Sequence, residues 1–344
     1  MKGSELHFGG FRLEEKCGAL RELVPVQSDT AIVVANWETR SRSLLQTQKI
    51  EGERCIILNF DDSGVTQEDI DQIRKDAEKA FRHVETETIC SPLDPEAVMS
   101  QSEQLARKIA EAQPLKCLVD YSAMPKVVTQ TLFRQFMLEG LCPIVNWIYL
   151  PGRYDGTPAH AAAYHQGVRD FFSIRGAEGK GGISTRRIGV LALGADRPLI
   201  DTFLRMHNYD ELHFVHAYSE HSPGLMDKID GQMRWLMAEH GVAETDFIEC
   251  KALTVLDAFR VFSAIVEQYP DESGSTIDLF CSGPKSHAIA ASALVTSSDH
   301  VRLVGRVPDN YARFDVIATG DVSLTTVSDY TNPLIAKALV GSTL

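Results

Sequence analysis

The strongest constraint on this chain is a strand–turn–helix pattern that occurs twice. Ile277–Cys281 is a short apolar run, Ser282-Gly283-Pro284-Lys285-Ser286-His287 is a turn rich in helix-start residues, and an alanine-rich stretch continues to Leu294. Earlier, Cys117–Asp120 leads through Tyr121-Ser122-Ala123-Met124-Pro125-Lys126 into another helical segment. The two prolines lie 284 − 125 = 159 positions apart, and Pro151-Gly152-Arg153-Tyr154 is echoed by Pro308-Asp309-Asn310-Tyr311 at 311 − 154 = 157. Two landmarks at nearly one offset point to an internal duplication.

The remaining elements fit that reading. Thr30–Ala35 is short, apolar and rich in branched residues, as a buried strand is, and Arg54–Asn59, a run near Thr86–Cys90, Lys116–Asp120 and Pro143–Tyr149 read as the strands that follow it. Helical stretches separate them: one from Leu44, one after Thr66-Gln67-Glu68-Asp69, one over about 95–112 and one over about 127–138. The second half repeats the programme, with strands over Arg187–Leu193, Glu211–Ala217, Phe247–Ala252, Thr276–Cys281 and Val301–Val307. Phe314–Ala318 reads as a further strand and Asn332–Val340 as a closing helix. Alternation at this spacing means βαβ crossovers and mostly parallel sheets. The expected fold is therefore α/β, two tandem Rossmann-like repeats. The expected boundaries are an extension over 1–28 with a helix near 14–23, a first repeat over 29–175, a glycine-rich linker over 176–186 and a second repeat over 187–344. That linker lacks the Gly-Lys-Ser/Thr ending of a phosphate loop.

A chain of 344 residues suits two domains of roughly 150 residues. A net charge of −13 argues against general polyanion or duplex nucleic-acid binding, which needs clustered Lys and Arg. No apolar run approaches the ~18 residues of a membrane span, and the first residues show no apolar signal core. Seven scattered cysteines, none in a Cys-x-x-Cys pair, point to a reducing, cytoplasmic setting without a zinc site. His213 and His216, three apart on a strand, face opposite sides and make no metal pair.

Ligands of open parallel sheets collect at the strand carboxyl ends, where helix N-termini present backbone N–H groups. That rule selects Asn36, Glu38, Arg40 and Ser41, then Asp61 and Asp62, Asp120 and Ser122, and Arg153 and Tyr154 in the first half. In the second it selects Asp196 and Arg197, Glu220 and His221, Ser282, Gly283, Lys285 and His287, and Arg306 and Tyr311. The 283–287 turn reads as an anion site, with Gly283 allowing close approach, Pro284 presetting the first turn, and Lys285 and His287 adding charge or donors. A capped helix with a surface lysine is the competing reading. Glu38 and Asp120 are the candidate catalytic carboxylates; Glu38 with Arg40 reads equally as a pair that orients the first helix.

The Trp-Glu-Thr-Arg-Ser elbow at 37–41, the Asp-Tyr-Ser-x-Met turn at 120–124 and the Gly-Pro-Lys-x-His-Ala turn at 283–288 together resemble an uncharacterised group of bacterial proteins associated with mobile and antiviral gene neighbourhoods. That resemblance brings no established catalytic residues. As a fold, a duplicated Rossmann-like unit also resembles the sensor domains of CRISPR-associated and cyclic-oligonucleotide immune systems, which bind nucleotide second messengers. The expectation is a protein that binds a nucleotide or another phosphorylated small ligand. A nucleotide or N-glycosidic-bond hydrolase using Glu38 or Asp120, and a non-catalytic subunit that meets a protein partner, are the alternatives. No motif names a cofactor.

Overall fold

The computed structural model describes residues 1–61, 63–153, 167–177, 186–194, 196–218, 223–251, 253–271, 274–309 and 315–332. The chain divides into two compact units, Met1–Gly152 with Asp315–Leu344, and Arg153–Phe314.

Five parallel strands build the centre of the first unit: β3 (Val26–Val34), β4 (Ile50–Phe60), β5 (Phe81–Ile89), β6 (Lys116–Asp120) and β7 (Ile144–Tyr149), in the spatial order β7-β6-β3-β4-β5. The first of them in sequence is central, so the order reverses between β3 and β6. Three antiparallel strands extend this sheet beyond β7: β16 (Asp321–Asp329), β2 (Phe11–Ala19) and β1 (Lys2–Phe8). From Thr30 onward every β3 residue is buried, which explains its unbroken branched apolar run. Helices α1 (Arg40–Gln46), α2 (Gln67–Ala77), α3 (Pro95–Ala110) and α4 (Lys126–Met137) join the parallel strands. Leu44, Ile70 and Ile73 from α1 and α2 pack on Ala31, Val33, Ile57 and Leu118 of the sheet.

Local rules set the helix starts. Thr66 accepts from the Asp69 amide at 3.2 Å while Asp69 accepts from the Thr66 amide at 3.0 Å, a reciprocal cap for α2. Those Thr66 bonds hold the Asp69 carboxyl below its ordinary range. A depressed folded-state pKa adds stability above the unfolded value near 3.9, and that stability is lost as pH falls through the folded pKa. Thr66→Ala is expected to cost about 1 kcal/mol at neutral pH and to remove this part of the acid dependence, read from urea midpoints at pH 7 and pH 3.

The second unit has five parallel strands in the same sequential order. They are β10 (Arg186–Leu193), β11 (Glu211–Tyr218), β12 (Phe247–Lys251), β13 (Ser275–Cys281) and β14 (Val301–Val307), arranged β12-β11-β10-β13-β14. An antiparallel strand, β9 (Asp170–Ser173), closes the β14 side. The helices are α5 (Arg197–Met206), α6 (Pro223–His240), α7 (Val255–Val266) and α8 (Lys285–Val295). Phe203 stacks on Phe280 with centroids 4.6 Å apart, and Leu191, Leu193, Phe214, Trp235 and Leu236 complete that core. Two-residue strands β8 (Gly152–Arg153) and β15 (Ile317–Ala318) form a small separate ladder.

The molecule is thus α/β with large, mostly parallel sheets. Several expected details differ. The extension over 1–28 supplies two sheet strands, and the segment expected as a helix near 14–23 is mostly β2. Leu13 and Glu15 are buried there at a spacing of two, and ladders with β1 and β16 override the helical propensity of the Glu, Lys and Ala residues. Residues 170–173, placed in the first repeat, pair in the second sheet, and the chain after residue 314 returns to the first unit. The anticipated strand over 314–318 is only the two residues of β15, while β16 carries the long pairing. The closing helix from 333 onward and most of the glycine-rich segment, 178–185, lie outside the described residues.

Candidate functional site

In the first unit the order reversal brings together the turns after β3 and β6. Asn36, two residues beyond β3, is half-buried; its Nδ2 donates to the Ala123 carbonyl at 3.4 Å and its Oδ1 accepts from the Glu38 amide at 3.2 Å. Glu38 and Arg40 form an ion pair with side chains 14% and 3% exposed. The Arg40 guanidinium reaches the Leu150 carbonyl at 3.5 Å and lies so close to Gly152 that a Cβ there would come within 2.9 Å of it. Ser41 is buried and returns its hydroxyl to the Glu38 carbonyl at 2.8 Å. Thr39 donates both its amide and its hydroxyl to Asp315 at 2.6 Å. Asp315 was not foreseen, and no local pattern announces it, because 276 residues separate the partners.

Asp120 is buried, and its Oδ1 accepts from the Ser122 amide at 3.0 Å. The Ser122 hydroxyl in turn accepts from the Leu150 amide at 2.8 Å, tying the β6 turn to the end of β7. Arg153 is exposed on β8. The elbow and the β6 turn therefore meet through Asn36 and Ala123. Glu38 lies against Arg40, while Asp120 is engaged within its own turn.

In the second unit the reversal lies between β10 and β13. Ser282 and Gly283 both donate their amides to the Ala192 carbonyl, at 3.0 and 2.9 Å, and the Ser282 hydroxyl accepts from the Gly194 amide at 3.0 Å. A Cβ on Gly194 would sit 2.5 Å from the Ser282 carbonyl oxygen, and one on Gly283 2.7 Å from that of Leu193. Only glycine permits this approach of two backbones. The Gly283 amide is thereby engaged within the chain rather than aimed at the space before α8. That helix begins after Pro284 without a side-chain cap, and Lys285 in its first turn is half-buried.

His287 occupies the interior. It is fully buried, its Nε2 lies 3.1 Å from Cys250 Sγ, and it packs edge-on against Phe262. Burial pushes the Cys250 thiol up to about 12, so it is an unreactive thiol at neutral pH. Beside this edge Asp196 caps α5 through the Leu199 amide at 3.3 Å and accepts from Arg306 at 3.0 Å. Arg197 lies over the Trp235 ring, 4.3 Å from its centroid. Tyr154, Tyr311, Glu220, His221 and Asp62 lie outside the described residues.

Other sequence candidates resolve locally. His213 meets the Tyr269 hydroxyl at 2.7 Å, and burial lowers the pKa of both His213 and His216. Among the described residues no group of three His, Cys, Asp or Glu side chains could hold a metal ion, and no helix is long and apolar enough to cross a membrane. None of the seven cysteines forms a disulfide.

A buried charge cluster escaped sequence reasoning. Asp278, in the middle of β13, accepts from Arg302 at 2.6 and 2.7 Å, from Arg187 at 2.9 Å and from the Tyr209 hydroxyl at 3.1 Å. The one available signal was a lone aspartate inside an apolar strand.

No protein-family model matches the chain, and no curated protein is similar to it. Among solved structures, a functionally unknown protein, PA1789 from Pseudomonas aeruginosa PAO1, is 11% identical, with 84% of this chain and 94% of that chain covered and a TM-score of 0.24. A structure described as AtPrR2 in apo form is 14% identical, covering 70% of this chain and 86% of that one, with a TM-score of 0.22. Likeness at that level carries no argument about fold or function.

Proposed function

We propose that the two units are tandem Rossmann-like copies and that the protein binds a nucleotide or another phosphorylated small ligand at the carboxyl ends of its parallel strands. The duplication is supported by the shared order, in which the first parallel strand of each unit is central and the order reverses beside it. The observation that carries the binding reading is the glycine-mediated approach of the turns after β10 and β13, next to a helix that starts without a side-chain cap and carries Lys285 in its first turn. Binding is favoured over hydrolysis because Glu38 and Asp120 are engaged by Arg40 and by the Ser122 amide. The reading includes a cytoplasmic protein, resting on its scattered cysteines. A role in antiviral defence rests on the resemblance alone, and survival of phage challenge with and without the gene tests it.

The binding test is a thermal-shift screen with mono- and dinucleotides, NAD, ADP-ribose and cyclic oligonucleotides, each with and without Mg²⁺. A ligand at a hundredfold excess over Kd adds about 2.7 kcal/mol to the native state. The expected result is a rise in the midpoint that Lys285→Ala abolishes, with the ligand recovered intact. Turnover that Glu38→Gln abolishes while binding persists would instead establish the hydrolase. A flat screen would leave the protein-partner reading in its place.

A further inference from the structure

The first sheet ends on β1, and among the described residues no strand pairs along its outer edge. β1 and β2 form a hairpin closed by Gly9-Gly10, whose φ angles of 48° and 86° are those of a type I′ turn. The pair that flanks such a turn, here Phe8 and Phe11, is hydrogen-bonded, and bonded and non-bonded pairs alternate along the ladder from there. Ser4 and Leu6 therefore turn their backbone groups toward β2, while Gly3, Glu5 and His7 turn theirs outward. Those three residues are exposed. An outward row of backbone donors and acceptors on an edge strand is a template for another strand.

The side chains select which strand. A closed pair of identical chains needs a two-fold axis, so the edge must match itself in antiparallel register. Centred on Glu5, the pairing is longest but sets two carboxylates directly opposite, which is destabilising. Centred on Ser4 or on His7, it sets Glu5 against a glycine. Centred on Leu6, it sets Glu5 of each copy opposite His7 of the other, Leu6 against Leu6 and Ser4 against Phe8. Glu5 accepts from Arg12 at 2.6 Å, and a carboxylate has room for a further donor such as an imidazole N–H. Leu6 is half-buried opposite the fully buried Leu13, so a Leu6–Leu6 contact extends an apolar row of the sheet.

We propose that β1 is a self-recognition edge, through which two copies of this chain join by antiparallel β1–β1 pairing about Leu6. The pairing makes one continuous sheet of the two first sheets. It engages few residues, so the dimer is weak and forms with rising concentration.

The test is sedimentation of the full chain over a range of concentrations, with crosslinking to read the register. Wild type is expected to move reversibly from monomer toward dimer. His7→Pro removes an outward N–H and no bond to β2, and should weaken dimerisation at least about tenfold. His7→Glu sets a second carboxylate against Glu5 of the other copy while standing opposite Arg12 in its own hairpin. It should weaken dimerisation by a similar factor and leave the urea midpoint of the monomer unchanged or higher. Under mild oxidation Leu6→Cys should give a disulfide-linked dimer in excess of wild type, because the axis brings the two Cβ atoms to about 4.5 Å. Ser4→Cys should give none beyond wild type, since each Ser4 lies opposite Phe8. A monomer at every concentration overturns the proposal. So does a dimer that both His7 variants leave intact, which would place the interface elsewhere. Crosslinking of Ser4→Cys that equals or exceeds that of Leu6→Cys overturns the register.

Discussion

Asp278→Ala is expected to lower the unfolding free energy by about 3 kcal/mol, the low end of what removing one partner of a buried ion pair costs. The carboxylate is 2% exposed and accepts from two arginines and a tyrosine in the middle of a central strand. Without it, Arg187 stays over the Tyr209 ring, 5.1 Å from its centroid, and Arg302 keeps its place on β14, both facing a neutral gap. Their side chains are 39% and 30% exposed, so water takes up part of the lost interaction, and the low end of the range applies. Urea unfolding followed by far-UV dichroism gives the number. A second measurement identifies the cause. Asp278→Ala combined with Arg302→Met should cost less than the sum of the two single changes, because residues of one network do not act independently. Additive losses would mean that the pair is not coupled.

Arg40→Met should be nearly as damaging, at about 3 kcal/mol, whereas Glu38→Gln should cost about 1 kcal/mol. The asymmetry follows from burial. Arg40 is 3% exposed and fits between Glu38, the Leu150 carbonyl and Gly152, so its loss leaves a carboxylate that is 14% exposed beside a methionine. Glutamine at 38 still offers an oxygen to the guanidinium. Equal stability of Arg40→Met and wild type would mean that the elbow is not held by this pair, and that Glu38 is available for chemistry after all. The same two variants therefore separate an orienting role for Glu38 from a catalytic one.

Much of the architecture was legible in the chain because buried parallel strands leave a local record. Lys116–Asp120 and Val301–Val307 were placed at their observed limits, because short segments with apolar centres, alternating with helical stretches, read as strands. The antiparallel additions were not legible. β2 reads as helical by composition, and β16 turns Ser323 and Thr325 inward, so its buried face does not register as apolar. Both strands exist because each finds a partner more than 300 positions away, which no local pattern encodes.

The candidate site divides in the same way. Residue types at strand ends were sufficient to choose Asn36, Asp120, Ser282 and Lys285, because the carboxyl edge of a parallel sheet follows from the alternation of elements. Which of them could face a ligand was a matter of side-chain direction. His287 sits in the first turn of α8, yet the turn of the helix carries its ring inward to Cys250. Glu38 is met by Arg40 and Asp120 by the Ser122 amide. The sequence by itself determined the alternation of strands and helices, the capped helix starts and the glycines on which close backbone approach depends, all of which arise from interactions within a few residues. Only the tertiary structure decided the return of the chain to the first sheet, the Asp278 cluster and the bonds of Glu15 to Ser323 and Thr325, because these depend on contacts between residues far apart in the chain.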